Sequence, residues 1–438
     1  MADHAALNID LRQMILAIET AVSLVGMNDT NHGKRVGFIA SQVAHQAGMP
    51  EAESQFAFEL GLLHDCGVST EQMHSSLVNH FDWNDAHIHC EIGYRLLRDF
   101  EPLAAFAMPI LHHHTPWLRL RGLEVAARDR RMANLIFLSD RVDVMAASHY
   151  GADILLAKRQ IVDYIQRQSD VYFDPALIDA FRTVERSEAF WIALEARHIT
   201  RYTWDMGLRE NSRPLSLAEI RQLSMILAYI VDQKSPFTAQ HSILVADVAR
   251  YMAEHHGLST EQCEKVEIAA LLHDLGKLHV PDHILDKPGP LNETERSIMN
   301  QHSFETYEIL RHINGLGELA RWAAYHHEGL NGAGYPFHPA KRDLSVEARI
   351  IAVADVFQAL VQDRPYRKGM MRDEVLDVLR GQAERGRLDR DLVDLAVARA
   401  DTCYAIARGD SAEHNRPALD LFASKADAAE QLASLVAG

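Results

Sequence analysis

Apolar positions along this chain recur mainly at helical spacing, in runs bounded by helix-start and helix-stop residues, and the pattern predicts an all-α protein. After Ser235-Pro236, Ile243, Val245, Ala246, Val248 and Ala249 form one apolar face with His241 on the first turns. Serine followed by proline is a good N-cap and first helical residue. Ser259 with Gln262 reads as a capping box ahead of Val266 to Leu272; this helix runs into His273-Asp274, with Gly276 available to close it. Asn292 with Glu295 opens a helix through His302 to Ile313, which Gly315 and Gly317 break. Leu319 to His327 predicts another helix, and the glycine-rich GLNGAGYP segment a loop. Val346 to Leu360 predicts the last core helix, with Ile350, Val353, Ala354 and Phe357 on its apolar side and Asp355 pointing into the bundle. The longest apolar stretch, near Met225–Val231, is far too short to span a bilayer. The first residues, MADHAALNIDLRQM, lack a basic start followed by an apolar core, so no signal peptide is expected and the expected location is the cytoplasm.

The pattern is written twice. One ladder of chemistry-bearing residues runs His32, His64-Asp65, His89, His113-His114, Asp140; a second runs His241, His273-Asp274, His302, His326-His327, Asp355. The first gap is 32 residues in both, the second 25 against 29, the third 24 in both, and the last 26 against 28. Local letters agree as well: FELGLLHDCG matches IAALLHDLG, and HCEIGYRLL matches HSFETYEIL. Order, chemistry and spacing together predict an internal duplication, hence tandem helical bundles. Expected boundaries are residues 1–195 for the first bundle, 196–215 for a connector, 216–410 for the second bundle and 411–438 for a tail or docking helix. The second bundle opens at a Ser216-x-x-Glu219 cap, and DRDLVDLA from Asp389 repeats DPALIDAF from Asp174. Two homologous bundles are expected to pack as an internal pseudo-dimer, with a homo-oligomer or a signalling-protein partner left open.

Composition narrows the partners. The chain has 44 Lys plus Arg against 61 Asp plus Glu, a formal charge of -17, which opposes non-specific binding to DNA or membrane surfaces. No basic-aromatic stripe supports RNA binding, so no polymeric nucleic acid and no membrane partner are expected. A small anionic substrate stays open, because bound metal ions reverse the local field. Cys66, Cys90, Cys263 and Cys403 form no CxxC pair, and Cys66 and Cys90, though each directly follows a candidate ligand, read as buried thiols in helical walls.

Imidazole and carboxylate suit iron, manganese or zinc. His241, His273, Asp274, His302, His326, His327 and Asp355 supply enough donors for two ions. Two ions suit a phosphodiester, since one lowers the pKa of a bridging water and the pair clamps the charge that develops at phosphorus. Lys277, three residues after Asp274, can reach a non-bridging phosphate oxygen as a point charge; a plain surface lysine is its rival reading.

The segment RWAAYHHEGLNGAGYP, Arg321 to Pro336, together with the upstream HDLGK at His273 to Lys277, resembles the HD-GYP family of cyclic-dinucleotide phosphodiesterases, a branch of the HD phosphohydrolases. The likeness covers most of residues 235–405. It implies hydrolysis of cyclic di-GMP to linear pGpG, and possible release of GMP, through attack of a metal-bridging hydroxide. It also implies a ligand allocation: His241, His273, Asp274 and Asp355 on one ion, Asp274, His302, His326 and His327 on the other, with Asp274 bridging and iron or manganese favoured. In DRPYR, Arg364 and Arg367 match the family and are candidates for binding phosphate or bracing the loop.

The chain also departs from the family pattern. Gly329 and Asn331 replace an arginine after HHE and an aspartate before the loop glycine, Phe237 stands where some members carry a glutamate for a third metal, and Gln358 replaces a commonly acidic residue. In the first half, His32, His64, Asp65, His89, His113, His114 and Asp140 form a candidate second metal site, with a one-residue slip to His112-His113 open. Val68 replaces the lysine and no GYP loop follows, so that half is expected to be a divergent, regulatory HD domain, with independent catalysis as the rival. For the whole chain, a 3′,3′-cyclic GMP-AMP phosphodiesterase and an inert cyclic-dinucleotide sensor are the alternatives to cyclic di-GMP hydrolysis.

Overall fold

A computed structural model describes residues 9–25, 31–71, 73, 87–207, 213–235, 240–363 and 368–410. Phe237, Arg364, Arg367 and the expected tail at 411–438 lie outside the described residues. The described chain is essentially all α-helix; outside the helices it shows only isolated β-bridges, Asp10 with Pro214 and Ser169 with Phe173. No described helix is long and apolar enough to cross a membrane.

The first half comprises α1 (Leu11–Ser23), α2 (His32–Gln46), α3 (Glu51–Leu63), α4 (His87–Leu97), α5 (Glu101–His112), α6 (Trp117–Leu120), α7 (Ala127–Ala146), α8 (Ile154–Arg167), α9 (Pro175–Val184), α10 (Glu188–Ala193) and α11 (Ala196–Gly207). The second comprises α12 (Leu217–Asp232), α13 (His241–His256), α14 (Thr260–Leu271), α15 (Asp282–Leu285), α16 (Glu293–Asn300), α17 (His302–Arg311), α18 (Gly317–Ala324), α19 (Val346–Val361), α20 (Arg372–Glu384), α21 (Arg390–Ala398) and α22 (Ala400–Arg408). The packing repeats as the ladders do. In the first half α2 lies against α3 and α7, and α4 against α5; in the second, α13 lies against α14 and α19, and α17 against α18.

Capping places many of these helices. Ser216, Ser259 and Asn292 each close a reciprocal capping box with the residue three positions on, and Ser345 accepts from Ala348 N. Asp174 and Asp389 both cap the helix after them through their carboxylates, so the similarity of those two tails is structural. The helix that carries His241 begins at that residue, after Gln240 at a φ of 73°; Pro236, expected as a first helical residue, lies outside the described residues. The helix expected to run unbroken through His302 divides, with α16 ending at Asn300 and α17 starting at His302. Likewise α18 stops at Ala324, leaving His326-His327 in a turn. Within the segment read as a connector, α11 is helical and buries Ile199, Thr203 and Met206; the Met206 carbonyl accepts from Arg12.

The halves touch directly. Asn314 N donates to Gln13 Oε1, Glu71 N donates to Asp282 Oδ2, and α1 packs on α17. One buried apolar cluster runs through both bundles, from Ile9 to Ala407.

Candidate metal centres

In the second half, most candidate ligands sit where a helix starts or has just ended. His241 and His302 are the first residues of α13 and α17, His273-Asp274 and His326-His327 occupy the turns after α14 and α18, and Asp355 lies within α19. The turns are tight. An added Cβ on Gly276 would lie 2.0 Å from the His302 carbonyl oxygen, so glycine is what lets the HD turn press against the start of α17. This is the physical role of a residue read from sequence as a helix stop.

The imidazoles are held for ligation. His273, His302 and His326 each place Nδ1 2.6 Å from a carbonyl three residues back, those of Ala270, Met299 and Ala323. A carbonyl only accepts, so the proton sits on Nδ1 and the Nε2 lone pair faces the pocket. Asp274 divides its two oxygens between two groups. Its Oδ2 is 3.4 Å from His241 Nε2 and 3.2 Å from His273 Nε2, while Oδ1 is 3.5 Å from His302 Nε2 and 3.8 Å from His326 Nε2. Asp355 Oδ1 is 3.5 Å from His241 Nε2, and its Oδ2 is 3.9 Å from His327 Nδ1. Donors of His241, His273 and Asp355 lie within 4.8 Å of one another, and so do those of His302, His326 and His327.

These residues fit a cation. Among the described residues, His273 Nε2 and Asp274 Oδ1 are buried without a hydrogen bond. Leaving such groups unsatisfied costs about 1–3 kcal/mol each, more where charge is involved. Their protonation also suits metal binding. Burial pushes His302 down to about 4 and His326 down to about 3, keeping both imidazoles neutral. Burial would raise Asp274, but His273 and Lys277 outweigh it and hold the carboxyl well below its usual range.

Around the ligands, Lys277 reaches back from the 3-10 turn Leu275–His279 and pairs with Asp274 Oδ2. Tyr335 lies over His327 with ring centroids 4.8 Å apart, the packing role its loop position suggests. Glu328 pins that loop by accepting from Phe337 N at 2.7 Å and His338 N at 3.1 Å. The two departures from the family string touch each other: a Cβ on Gly329 would sit 2.7 Å from Asn331 Oδ1, which accepts from Ala333 N. Gln358, whose substitution had no evident consequence in the sequence, accepts from His241 Nδ1.

The first half repeats the plan. His64 Nδ1 contacts the Gly61 carbonyl and His113 Nδ1 the Ile110 carbonyl. His113 Nε2 lies 3.2 Å from His89 Nε2, as His326 Nε2 lies 3.3 Å from His302 Nε2. His113 and His114 therefore face the pocket, whereas His112 is the last residue of α5 and only partly buried. Asp65 splits its oxygens as Asp274 does, with Oδ2 3.4 Å from His64 and Oδ1 3.5 Å from His89.

Its periphery differs. At the place of Gln358 stands Asp143, which takes His32 Nδ1 at 2.8 Å, Arg35 Nε at 2.6 Å and Tyr150 OH at 2.6 Å. Arg141, where the second half has Val356, donates to Asp140 Oδ2 at 2.8 Å. Burial depresses His32, but its bonds to Asp140 and Asp143 outweigh burial and raise it well above the usual imidazole range. Sequence reasoning missed Asp143, Arg141 and Glu328. The available signal for the first was its offset of three residues after the last aspartate, shared with Gln358.

Comparison with known proteins agrees with this duplicated architecture. HD-domain family models match residues 225–392 and residues 30–145. The 3′3′-cGAMP-specific phosphodiesterase 1 of Vibrio cholerae serotype O1 is 38% identical over 413 residues, which span 92% of this chain and 95% of that protein. The cyclic di-GMP phosphodiesterase response regulator RpfG of Xanthomonas campestris pv. campestris is 41% identical over 167 residues, 37% of this chain and 43% of that one. The crystal structure of a cyclic GMP-AMP specific phosphodiesterase of V. cholerae, V-cGAP3, superposes with a TM-score of 0.62 at 25% identity, covering 90% of this chain and 98% of that one. The chain therefore belongs to the HD phosphohydrolases, as a tandem of two HD-type domains homologous to the HD-GYP cyclic-dinucleotide phosphodiesterases.

Proposed function

We propose that this protein hydrolyses 3′,3′-cyclic GMP-AMP at the second-half centre. One observation carries the choice: likeness to a protein named for that substrate runs through both halves, over 92% of the chain. Likeness to RpfG, named for cyclic di-GMP, covers 37%. The sequence alone put cyclic di-GMP first because that is the substrate the HD-GYP resemblance implies. The purine preference is tested by initial rates of the purified, metal-loaded full chain on the two dinucleotides. Faster turnover of the mixed dinucleotide is expected, and a clear preference for cyclic di-GMP overturns the reading. Binding of either without any product, across iron and manganese, supports the sensor instead.

In this reading His241, His273, Asp274 and Asp355 would hold one divalent ion, and Asp274, His302, His326 and His327 a second. Iron or manganese is favoured because the donor set mixes imidazole and carboxylate. Such ions, when bound, lower the pKa of water and neutralise charge developing at phosphorus. The division of the Asp274 oxygens supports its bridging role. The pairing of Lys277 with Asp274 beside the ligands supports its role as a point charge for a non-bridging phosphate oxygen of substrate. Tyr335 shields the imidazoles from solvent, and Gln358 keeps the His241 proton on Nδ1. Arg364 and Arg367 stay candidates for the second phosphate.

The first half is assigned a regulatory role. Val68 replaces the phosphate-binding lysine, and Arg141 already engages Asp140. The boundaries 1–195, 196–215, 216–410 and 411–438 remain our proposal, as do the cytoplasmic location and the internal pseudo-dimer. Contacts such as Asn314 to Gln13 support the last of these.

A further inference from the structure

The first-half pocket contains one donor that the duplicated ladder does not. Cys90 stands where the second half has Ser303, directly after the third-rung histidine. Its Sγ is 3.7 Å from His89 Nε2, and the buried donors of His89, Cys90 and His113 lie within 4.8 Å of one another. His89 Nε2 and His113 Nε2 are 3.2 Å apart, and Asp65 Oδ1 is 3.5 Å from His89 Nε2. A tetrahedral zinc ion, with bonds of about 2.0–2.2 Å to nitrogen or oxygen and about 2.3 Å to sulfur, sets its donors apart by about 3.3–3.4 Å between first-row atoms and about 3.6 Å to sulfur. The separations measured from His89 are close to those edges at each of the three neighbours.

At the other end of the pocket a carboxylate donor is already engaged, since Asp140 Oδ2 accepts from Arg141. At the place of Lys277, which pairs with Asp274 in the second half, the first half has Val68, leaving Asp65 without that competing ammonium.

We propose that the first half binds a single zinc-like ion through Asp65, His89, Cys90 and His113. Binding breaks the S–H bond of Cys90 and releases its proton to solvent, so thiolate and carboxylate together balance a dication in a buried site. Four protein donors close the coordination shell, which is the pattern of structural zinc; a hydrolytic site keeps a position open. The two halves would thus hold different metals for different ends, one ion that shapes the regulatory bundle and a pair that serves hydrolysis. The inference does not depend on which cyclic dinucleotide is the substrate.

Cobalt(II) tests it without turnover, because a cobalt–thiolate bond adds a charge-transfer band in the near ultraviolet. The full-length chain, stripped of metal and titrated with cobalt(II), is expected to develop that band and to lose it in Cys90→Ser. A wild-type chain that binds cobalt without the band, or a band that survives in Cys90→Ser, overturns the proposal. Where Cys90→Ser folds poorly, X-ray absorption at the zinc edge of the unmodified, zinc-loaded chain decides. A sulfur shell at about 2.3 Å supports the site, and nitrogen and oxygen neighbours alone overturn it.

Discussion

Replacing Gly276 by alanine should disable the second-half centre through geometry alone. The new Cβ would lie 2.0 Å from the His302 carbonyl oxygen and 2.8 Å from Glu305 Cβ, and real Cβ contacts essentially never fall below 3.0 Å. The start of α17 must therefore retreat from the HD turn by about 1 Å, a distance comparable to the misplacement that costs roughly 10²-fold in rate. His302 is the first residue of that helix, so the retreat carries its Nε2 away from Asp274 Oδ1, now 3.5 Å distant. Overpacking of this kind costs about 1–3 kcal/mol, which a domain of this size survives. The assay is turnover of 3′,3′-cyclic GMP-AMP, with metal per chain and melting temperature measured on the same samples. The mirror substitution, Gly67→Ala, meets the His89 carbonyl oxygen at 2.1 Å and imposes the same local strain on the first pocket. It should lower stability similarly and leave most turnover in place. A folded Gly276→Ala protein with full metal and wild-type turnover would refute the claim that this close approach sets the ligand spacing.

Other substitutions separate the roles of single residues. Gln358→Ala removes the acceptor on His241 Nδ1 and should weaken metal binding by about 10–100-fold in chelator competition; unchanged affinity refutes an orienting role. Lys277→Ala should keep its metal and lose about 10–100-fold in kcat/KM, the range of a hydrogen bond to a charged group, whereas equal loss of metal would assign it to structure. Replacing His273 and Asp274 together by alanine should eliminate nearly all turnover, while replacing His64 and Asp65 should alter stability or substrate dependence. Loss of turnover from the first pair alone would reverse the assignment of the active half.

Capping chemistry was legible because it is local: Ser216, Ser259 and Asn292 announce their helices within four letters. The failures lie where a helix end is set by the site. Local letters do not announce that α13 starts at the ligand His241, behind Gln240 at a φ of 73°. The break before His302 has a similar origin, since a helix that begins at the ligand can press against Gly276. The ladder was legible because duplication repeats its spacing. Its supports were not, because they act across long separations: His32 and Asp143 are 111 residues apart, and His241 and Gln358 117. Cys90 was visible but carried no pattern, since a thiol after a histidine gains meaning only from what stands 3–4 Å away.

The same scaffold therefore supports two different balances of buried charge, and this predicts which half depends more on metal. In the first half, Arg35 and Tyr150 satisfy Asp143, Arg141 satisfies Asp140, and His32 is drawn into the same network. The corresponding positions in the second half offer Gln358 and Val356, which bring no counter-charge to Asp274 and Asp355. Buried carboxylates lacking full compensation are costly, and among the described residues Lys277 pairs with Asp274. Bound ions stabilise a fold by favouring the native state alone, adding about 4 kcal/mol when present at a thousandfold over Kd. Stripping metal should thus destabilise residues 241–361 more than residues 32–146. Amide hydrogen exchange of the full chain, before and after chelation, reads the two halves separately. Larger loss of protection in α13, α14 and α19 than in α2, α3 and α7 is expected. The reverse order would mean that the network around Asp140 and Asp143 does not replace a cation, and that the first half depends on its ion more heavily than the second.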